Sequence, residues 1–290
     1  MDAFLHQLLS GLATGGIYAS VALALVMIYQ STSQINFAQG EMAMFSTYFA
    51  WMMIQAGMSF WLAFAATLVL SFVMGAMVQF IVIRPMRNAP VLSVVVVYIG
   101  LLVIFNSLAG LFFGHTIKQF PSPFPVDAWY GSSYMSAHKV GAIGVTLAVM
   151  GLLFSFLRFT SLGLVMRGAA DNPDSSRLAG VNVNLVLMLG WGLAATIGAI
   201  AGMMDAPSIY LDPNMMAGVL IYAFAAALIG GIDNPMGAVV GGFLVGVIEN
   251  IIGTYVVGTE IKFSVALVLI VGVLIVRPSG LFGKPIVAKL

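Results

Sequence analysis

Long apolar runs broken by short polar ones fill the chain. The runs cover residues 8–27, 42–54, 61–83, 91–113, 140–157, 185–204, 215–229, 236–252 and 263–276. A helix needs about 20 mainly apolar residues to cross a bilayer, so several runs suffice and others are short. The pattern predicts an all-α polytopic membrane protein, a bundle of about 8–9 transmembrane helices that includes short or broken ones. Residues 42–54 read either as a short span or as a re-entrant segment. A transmembrane β-barrel is excluded, because it needs short alternating segments with a polar lumen face. One transmembrane domain over residues 1–290 is expected, with no clear internal sequence repeat.

The polar breaks fall at 29–39, 84–87, 114–139, 164–184, 230–235 and the tail from 277. The break at 164–184 has the most local structure. Asn172 suits a helix N-cap and Pro173 the first helical position. Asp174 falls in the first turn and Arg177 in the last, as the helix dipole favours. Gly180 suits the left-handed residue that stops a helix. About two turns of water-soluble helix are therefore expected between membrane segments, and a soluble partner is the reason for such an element to exist. The loop at 114–139 carries Phe120, Phe124, Trp129, Tyr130 and Tyr134, as expected near a membrane interface.

Composition strengthens this reading. Hydrophobic residues make up 61% and charged residues 7%, against about 25% charged in a soluble domain. The mean hydropathy is +1.07, more apolar surface than a globule of this size can hide. The lipid bilayer is thus its medium, and a net charge of +1 gives no reason to expect nucleic acid. No cysteine is present, which excludes disulfides, thiolate metal sites and a thiol nucleophile. The first residues lack a basic region and read as a retained first helix.

Charge sets an orientation. With nine segments and the N-terminus outside, Arg84, Arg87, Arg158, Arg167, Arg177, Arg277, Lys284 and Lys289 fall inside, and Lys118, Lys139 and Lys262 outside. By the positive-inside rule, the segment at about 159–184 and the C-terminus are cytoplasmic and the loop at about 114–139 is extracytoplasmic.

Candidate chemistry is sparse. No phosphate-binding Gly-rich loop, zinc-binding His-Glu-x-x-His or nucleophile elbow occurs, so catalytic, metal and cofactor-binding residues are expected to be absent and the chain is not read as an enzyme. Glu41, close to Asn36 and Gln39, and Glu249, beside Asn250, stand in otherwise apolar runs. A carboxylate in lipid costs several kcal/mol, so each needs a partner, water or a pathway. These five residues are candidates for a translocation pathway; the competing account is a helix-to-helix clamp, or for Glu41 a first-turn position near the inner headgroups. Glycines at four-residue spacing (Gly11/Gly15, Gly198/Gly202, Gly237/Gly241, Gly242/Gly246) are read as close helix crossings.

Four motifs in order then carry a family likeness. Ile35-Asn36-Phe37-Ala38-Gln39-Gly40-Glu41 resembles the NFAHGE signature of LivH/LivM-type ABC permeases for branched-chain amino acids, with Gln39 where His is usual. Met166-Arg167-Gly168-Ala169-Ala170-Asp171-Asn172, continuing to Leu178-Ala179-Gly180-Val181-Asn182, is similar to the cytoplasmic coupling loop of that family. Ala227 to Ile232 with Pro235-Met236-Gly237-Ala238 and Gly241-Gly242 resembles its LGGIG…PGA…GG run, and Arg277-Pro278-Ser279-Gly280-Leu281-Phe282-Gly283 its tail. The segment Asp171-Asn172-Pro173-Asp174 and Ser175-Ser176 depart from the pattern, as Gln39 does.

The resemblance implies a transmembrane permease subunit of an ATP-driven importer for branched-chain or other amino acids, in a bacterial inner membrane. Its implied partners are two cytoplasmic ATPase subunits, a second permease subunit (LivM-like) or a second copy of itself, and a periplasmic solute-binding protein. ATP and Mg would sit on the ATPases and no cofactor on this chain. The implied ATPase-coupling residues are Arg167, Ala170, Asp171, Asn172, Pro173, Arg177, Ala179 and Gly180. Urea or short amides are alternative substrates within the family, and a stand-alone secondary transporter is the alternative class.

Overall fold

The computed structural model describes residues 2–86, 89–125, 135–256, 258 and 261–283. Arg87, Lys284 and Lys289 of the orientation argument, and Trp129, Tyr130 and Tyr134 of the aromatic loop, lie outside the described residues. The described chain is all-α. Its helices are α1 (Asp2–Thr32), α2 (Gln39–Gln55), α3 (Phe60–Val78), α4 (Val91–Phe113), α5 (Ala137–Phe159), α6 (Ser161–Asp171), α7 (Pro173–Leu178), α8 (Val183–Ile209), α9 (Met215–Gly230), α10 (Pro235–Tyr255) and α11 (Lys262–Val276). Among the described residues six helices are long and apolar enough to cross a membrane, and α9 and α11 are shorter apolar helices. The protein is a multi-pass membrane protein.

Two compact units are present, residues 1–26, 122–146 and 217–290 in the first and residues 27–121 and 147–216 in the second. Helix α1 is buried on nearly every face from Gly11 to Met27, which explains its uniform run of small and aliphatic residues. In the first unit α1 crosses α10 at glycines. A Cβ on Gly11 would stand 2.8 Å from Val247 Cα, and one on Gly15 would stand 2.9 Å from Phe243 Cα. Gly242 and Gly246 face Ala19 and Gly15 in return. Lipid supplies no hydrophobic drive between helices, so backbone-to-backbone packing of this kind holds them. Gly237 and Gly241 pack on Gly230 and Ala226 of α9 in the same way.

In the second unit α8 packs most extensively on α3 and α2. Gly198 and Gly202 let α8 rest on Gln39, Ala43 and Thr47 of α2. Trp191 of α8 is fully buried and stacks on Tyr98 of α4 at 6.0 Å between ring centroids. The first faces of α3 and α4 left outward carry Leu62, Val69, Val73, Leu92, Val96 and Val103, all exposed apolar side chains suited to lipid.

Three boundaries differ from the pattern reading. Helix α1 continues through Tyr29 and Gln30 to Thr32, because polar residues at a helix end do not stop it. The run at 61–83 is α-helical only to Val78; Gln79–Ile83 is wound as a π-helix and Arg84–Met86 as a 3-10 turn. Pro85 gives the reason. In a regular α-helix its ring would meet the carbonyl of Ile81 and it has no N–H to offer there, so the winding changes before it. The break at 164–184 contains a helix, α6, that begins at Ser161.

Candidate functional site

Helices α6 and α7 form a polar elbow. Thr160 caps α6, its hydroxyl accepting from Gly163 N at 3.0 Å. Gly163, Met166 and Ala169 recur at every third position and face inward. Met166 and Ala169 pack with Val183 and Val186 of α8, backed by Phe156 and Leu157 of α5. Arg167 and Asp171 lie on the exposed face, and Ala170 is half-buried. Arg167 and Ala170 also border a cavity of about 40 Å³ behind α6.

Asn172 ends α6 and starts α7. Its side chain accepts from Ser175 N at 2.9 Å, and Pro173 follows in the first turn. The Arg177 guanidinium donates to Asp174 at 2.8 Å one turn away. With Asp174 88% exposed, that pair contributes at most about 1 kcal/mol. Gly180 takes φ +83. Gly180 N donates to Arg177 O at 3.0 Å and Val181 N to Ser176 O at 2.9 Å, the paired bonds of a Schellman stop. Asn182 then caps α8, accepting from Leu185 N at 3.2 Å. One side-chain cap and one glycine stop thus bound a six-residue helix, with the capped starts of α6 and α8 on either side. Leu178 at its tip is 91% exposed, and Ala179 and Gly180 are exposed beside it.

Among the described residues each unit also holds a buried polar cluster around a carboxylate. In the second unit Asn36, Gln39 and Glu41 are all buried. Asn36 Oδ1 accepts from Ala38 N at 3.0 Å, and its amide nitrogen donates to Gln39 Oε1 at 3.3 Å. Gln39 Nε2 donates to Ala194 O of α8 at 2.9 Å, tying α2 to α8. Glu41, 5% exposed, accepts at 3.4 Å from Asn106 Nδ2 of α4, which also donates to Pro213 O at 2.8 Å. Glu41 thus meets the second half of α4, and through Asn106 the turn beyond α8. Phe45 against Phe105 and Tyr48 against Phe113 continue the α2–α4 contact toward the end of α4.

In the first unit Glu249 of α10, 6% exposed, pairs with Lys262 Nζ of α11 at 3.1 Å and accepts from Tyr18 OH of α1 at 3.3 Å. Asn250 Nδ2 donates to Gln7 O at 3.1 Å. Tyr18 stacks on Tyr222 and Tyr222 on Phe263, at 4.9 and 5.5 Å. This arrangement clamps α1, α9, α10 and α11 around one neutralised carboxylate. Sequence reasoning missed Asn106, its further bond to Asn214 Oδ1 at 3.1 Å, and the role of Lys262. Asn106 was findable, since it is a lone amide in an apolar helix and falls under the same rule that singled out Glu41.

The chain matches the family described as branched-chain amino acid transport system / permease component over residues 7–276. It is 31% identical to the high-affinity branched-chain amino acid transport system permease protein LivH of Salmonella typhimurium, covering 99% of this chain and 97% of that one. It is 30% identical to the BraD permease protein of the corresponding system in Pseudomonas aeruginosa, over 99% of this chain and 98% of that one. The probable LivH of Methanocaldococcus jannaschii is 24% identical over 91% of this chain and 87% of that one. No solved structure matches the chain.

Proposed function

The chain belongs to the family of permease components of branched-chain amino acid transport systems, and from that premise we propose that it is the permease subunit of an ATP-binding-cassette importer for branched-chain or related aliphatic amino acids. In this reading separate ATPase subunits dock on α7, a solute-binding protein delivers the substrate on the opposite side, and a second permease subunit or a second copy completes the pathway. The observation that carries it is the elbow: a short, fully capped polar helix with an exposed apolar tip, in a chain with no nucleotide loop of its own.

The elbow belongs in the cytoplasm. Counted along the sequence with nine segments and the N-terminus outside, Arg84, Arg158, Arg167 and Arg177 all belong to the inner side, as the positive-inside rule requires. A push on α7 has a stiff route inward. Only residues 179–182 separate it from α8. Helix α8 is bonded to α2 through Gln39 and packed on it at Gly198 and Gly202. Helix α2 carries Glu41 toward Asn106 and the turn at Pro213. A rigid-body shift of packed helices of this kind is how such transitions proceed. Glu41, Asn36 and Gln39 then act on the pathway through position, while Glu249 and Asn250 hold the other unit together.

The test is co-reconstitution in liposomes with ATPase and solute-binding partners from the same genome. ATP-dependent leucine uptake, lost when either partner is left out, is expected. Uptake by this chain alone, driven by an ion gradient, would refute the reading.

A further inference from the structure

Beside α7 the second unit holds a cavity of about 190 Å³, below the ~300–1,000 Å³ of sites for drug-sized ligands. It opens between α7, the first turns of α8 and the π-wound end of α3. Among the described residues its lining includes two basic side chains, Arg84 and Arg177, and no acidic one; the Arg84 guanidinium rests at the rim, over the Phe80 ring at 5.1 Å. Arg177 uses one donor nitrogen on exposed Asp174, which leaves most of its five N–H groups free. Gln79 also lines the cavity; it is 1% exposed, and its Oε1 has no hydrogen-bond partner. A buried acceptor left unmatched is costly, so a site of this kind favours a ligand that brings a donor. Ile83, Val94 and Leu187 make the rest of the wall apolar.

Anionic end, donor and short apolar body together describe one class of solute. We propose that this cavity binds a small aliphatic α-amino acid, its carboxylate on Arg84 and Arg177, its ammonium on Gln79 Oε1 and its side chain against Ile83, Val94 and Leu187. The proposal rests on the function proposed above in one respect: the solute is the kind the importer releases on the side of α7. A bound amino acid braces α7 against α3 and α8, so accumulated product slows the element that the ATPases must move.

The test uses the full-length chain in lipid nanodiscs, without binding protein, titrated calorimetrically with L-leucine. Saturable binding is expected, weakened at least tenfold in Arg84→Gln and in Gln79→Leu. Arg84 is exposed, so its variant folds normally and keeps the test valid if the Gln79 variant does not. 4-Methylpentanoate, which lacks the ammonium, and 3-methylbutylamine, which lacks the carboxylate, should each bind at least tenfold more weakly than leucine. Absence of saturable binding, equal affinity in wild type and Arg84→Gln, or displacement of leucine by inorganic phosphate overturns the assignment. In the assembled transporter, ATP-driven leucine uptake without cavity binding sinks the site alone; cavity binding without uptake sinks the transport function and leaves the site.

Discussion

At the scale of single residues, burial decides what each polar group is for. Glu249 has Lys262 at 3.1 Å, and removing one partner of a buried pair costs about 3–5 kcal/mol while removing both costs far less. Lys262 is 24% exposed, so Lys262→Met should destabilise the protein by less than that, about 1–3 kcal/mol, and Glu249→Gln with Lys262→Met should recover most of it, read from denaturation midpoints in detergent. Equal loss in single and double variants would mean the pair is not the clamp. Gly180 offers a smaller effect. At φ +83 a Cβ costs roughly 1–2 kcal/mol, so Gly180→Ala should raise amide exchange at Gly180 and Val181 as the stop of α7 loosens. The sequence made Asn172, Pro173 and Gly180 readable because capping depends on neighbours within four residues. It could not show that Glu41 meets Asn106, because that pairing joins residues 65 positions apart.

At the scale of elements, small residues set where helices cross. The glycine pairs at four-residue spacing were legible as crossings, yet their partners were not, since spacing names one face and not what lies against it. Gly15→Val should force α1 from α10, because its added atoms enter space held by Phe243 backbone, at a cost of about 1–3 kcal/mol or more from overpacking. Gly100 is the control: nothing lies within 4 Å of a Cβ there, and Gly100→Ala in α4 should leave stability equal or raise it by up to about 1 kcal/mol through helix propensity. Thermal unfolding of both variants in the same detergent separates packing from propensity. Helix α6 escaped the pattern reading for a related reason. Its buried face is made by Gly163, Met166 and Ala169, but Leu162 and Leu164 lie on the exposed side, so apolar residues do not mark one face and the helix cannot be told from a loop until α8 is present to cover it.

At the scale of the whole molecule, the question is whether force enters through α7. Leu178 isolates that question better than the arginines do, since a charge change at Arg177 also alters a cavity wall. Its side chain is 91% exposed, so the fold gains almost nothing from it, and exposed substitutions usually change stability by no more than about 0.5 kcal/mol. Under the proposed function, an apolar side chain held outward on a helix bounded by Asn172 and Gly180 is the surface that an ATPase subunit covers. Leu178→Asp should thus leave unfolding and membrane insertion unchanged while ATP-driven leucine uptake falls at least tenfold and ATPase subunits co-purify poorly. Asp174→Asn, on the same small helix but engaged only in an exposed ion pair, should alter uptake less than twofold. Full uptake in Leu178→Asp would move the docking surface away from α7. The route through α8 and Gln39 to Glu41 would then need another entry point.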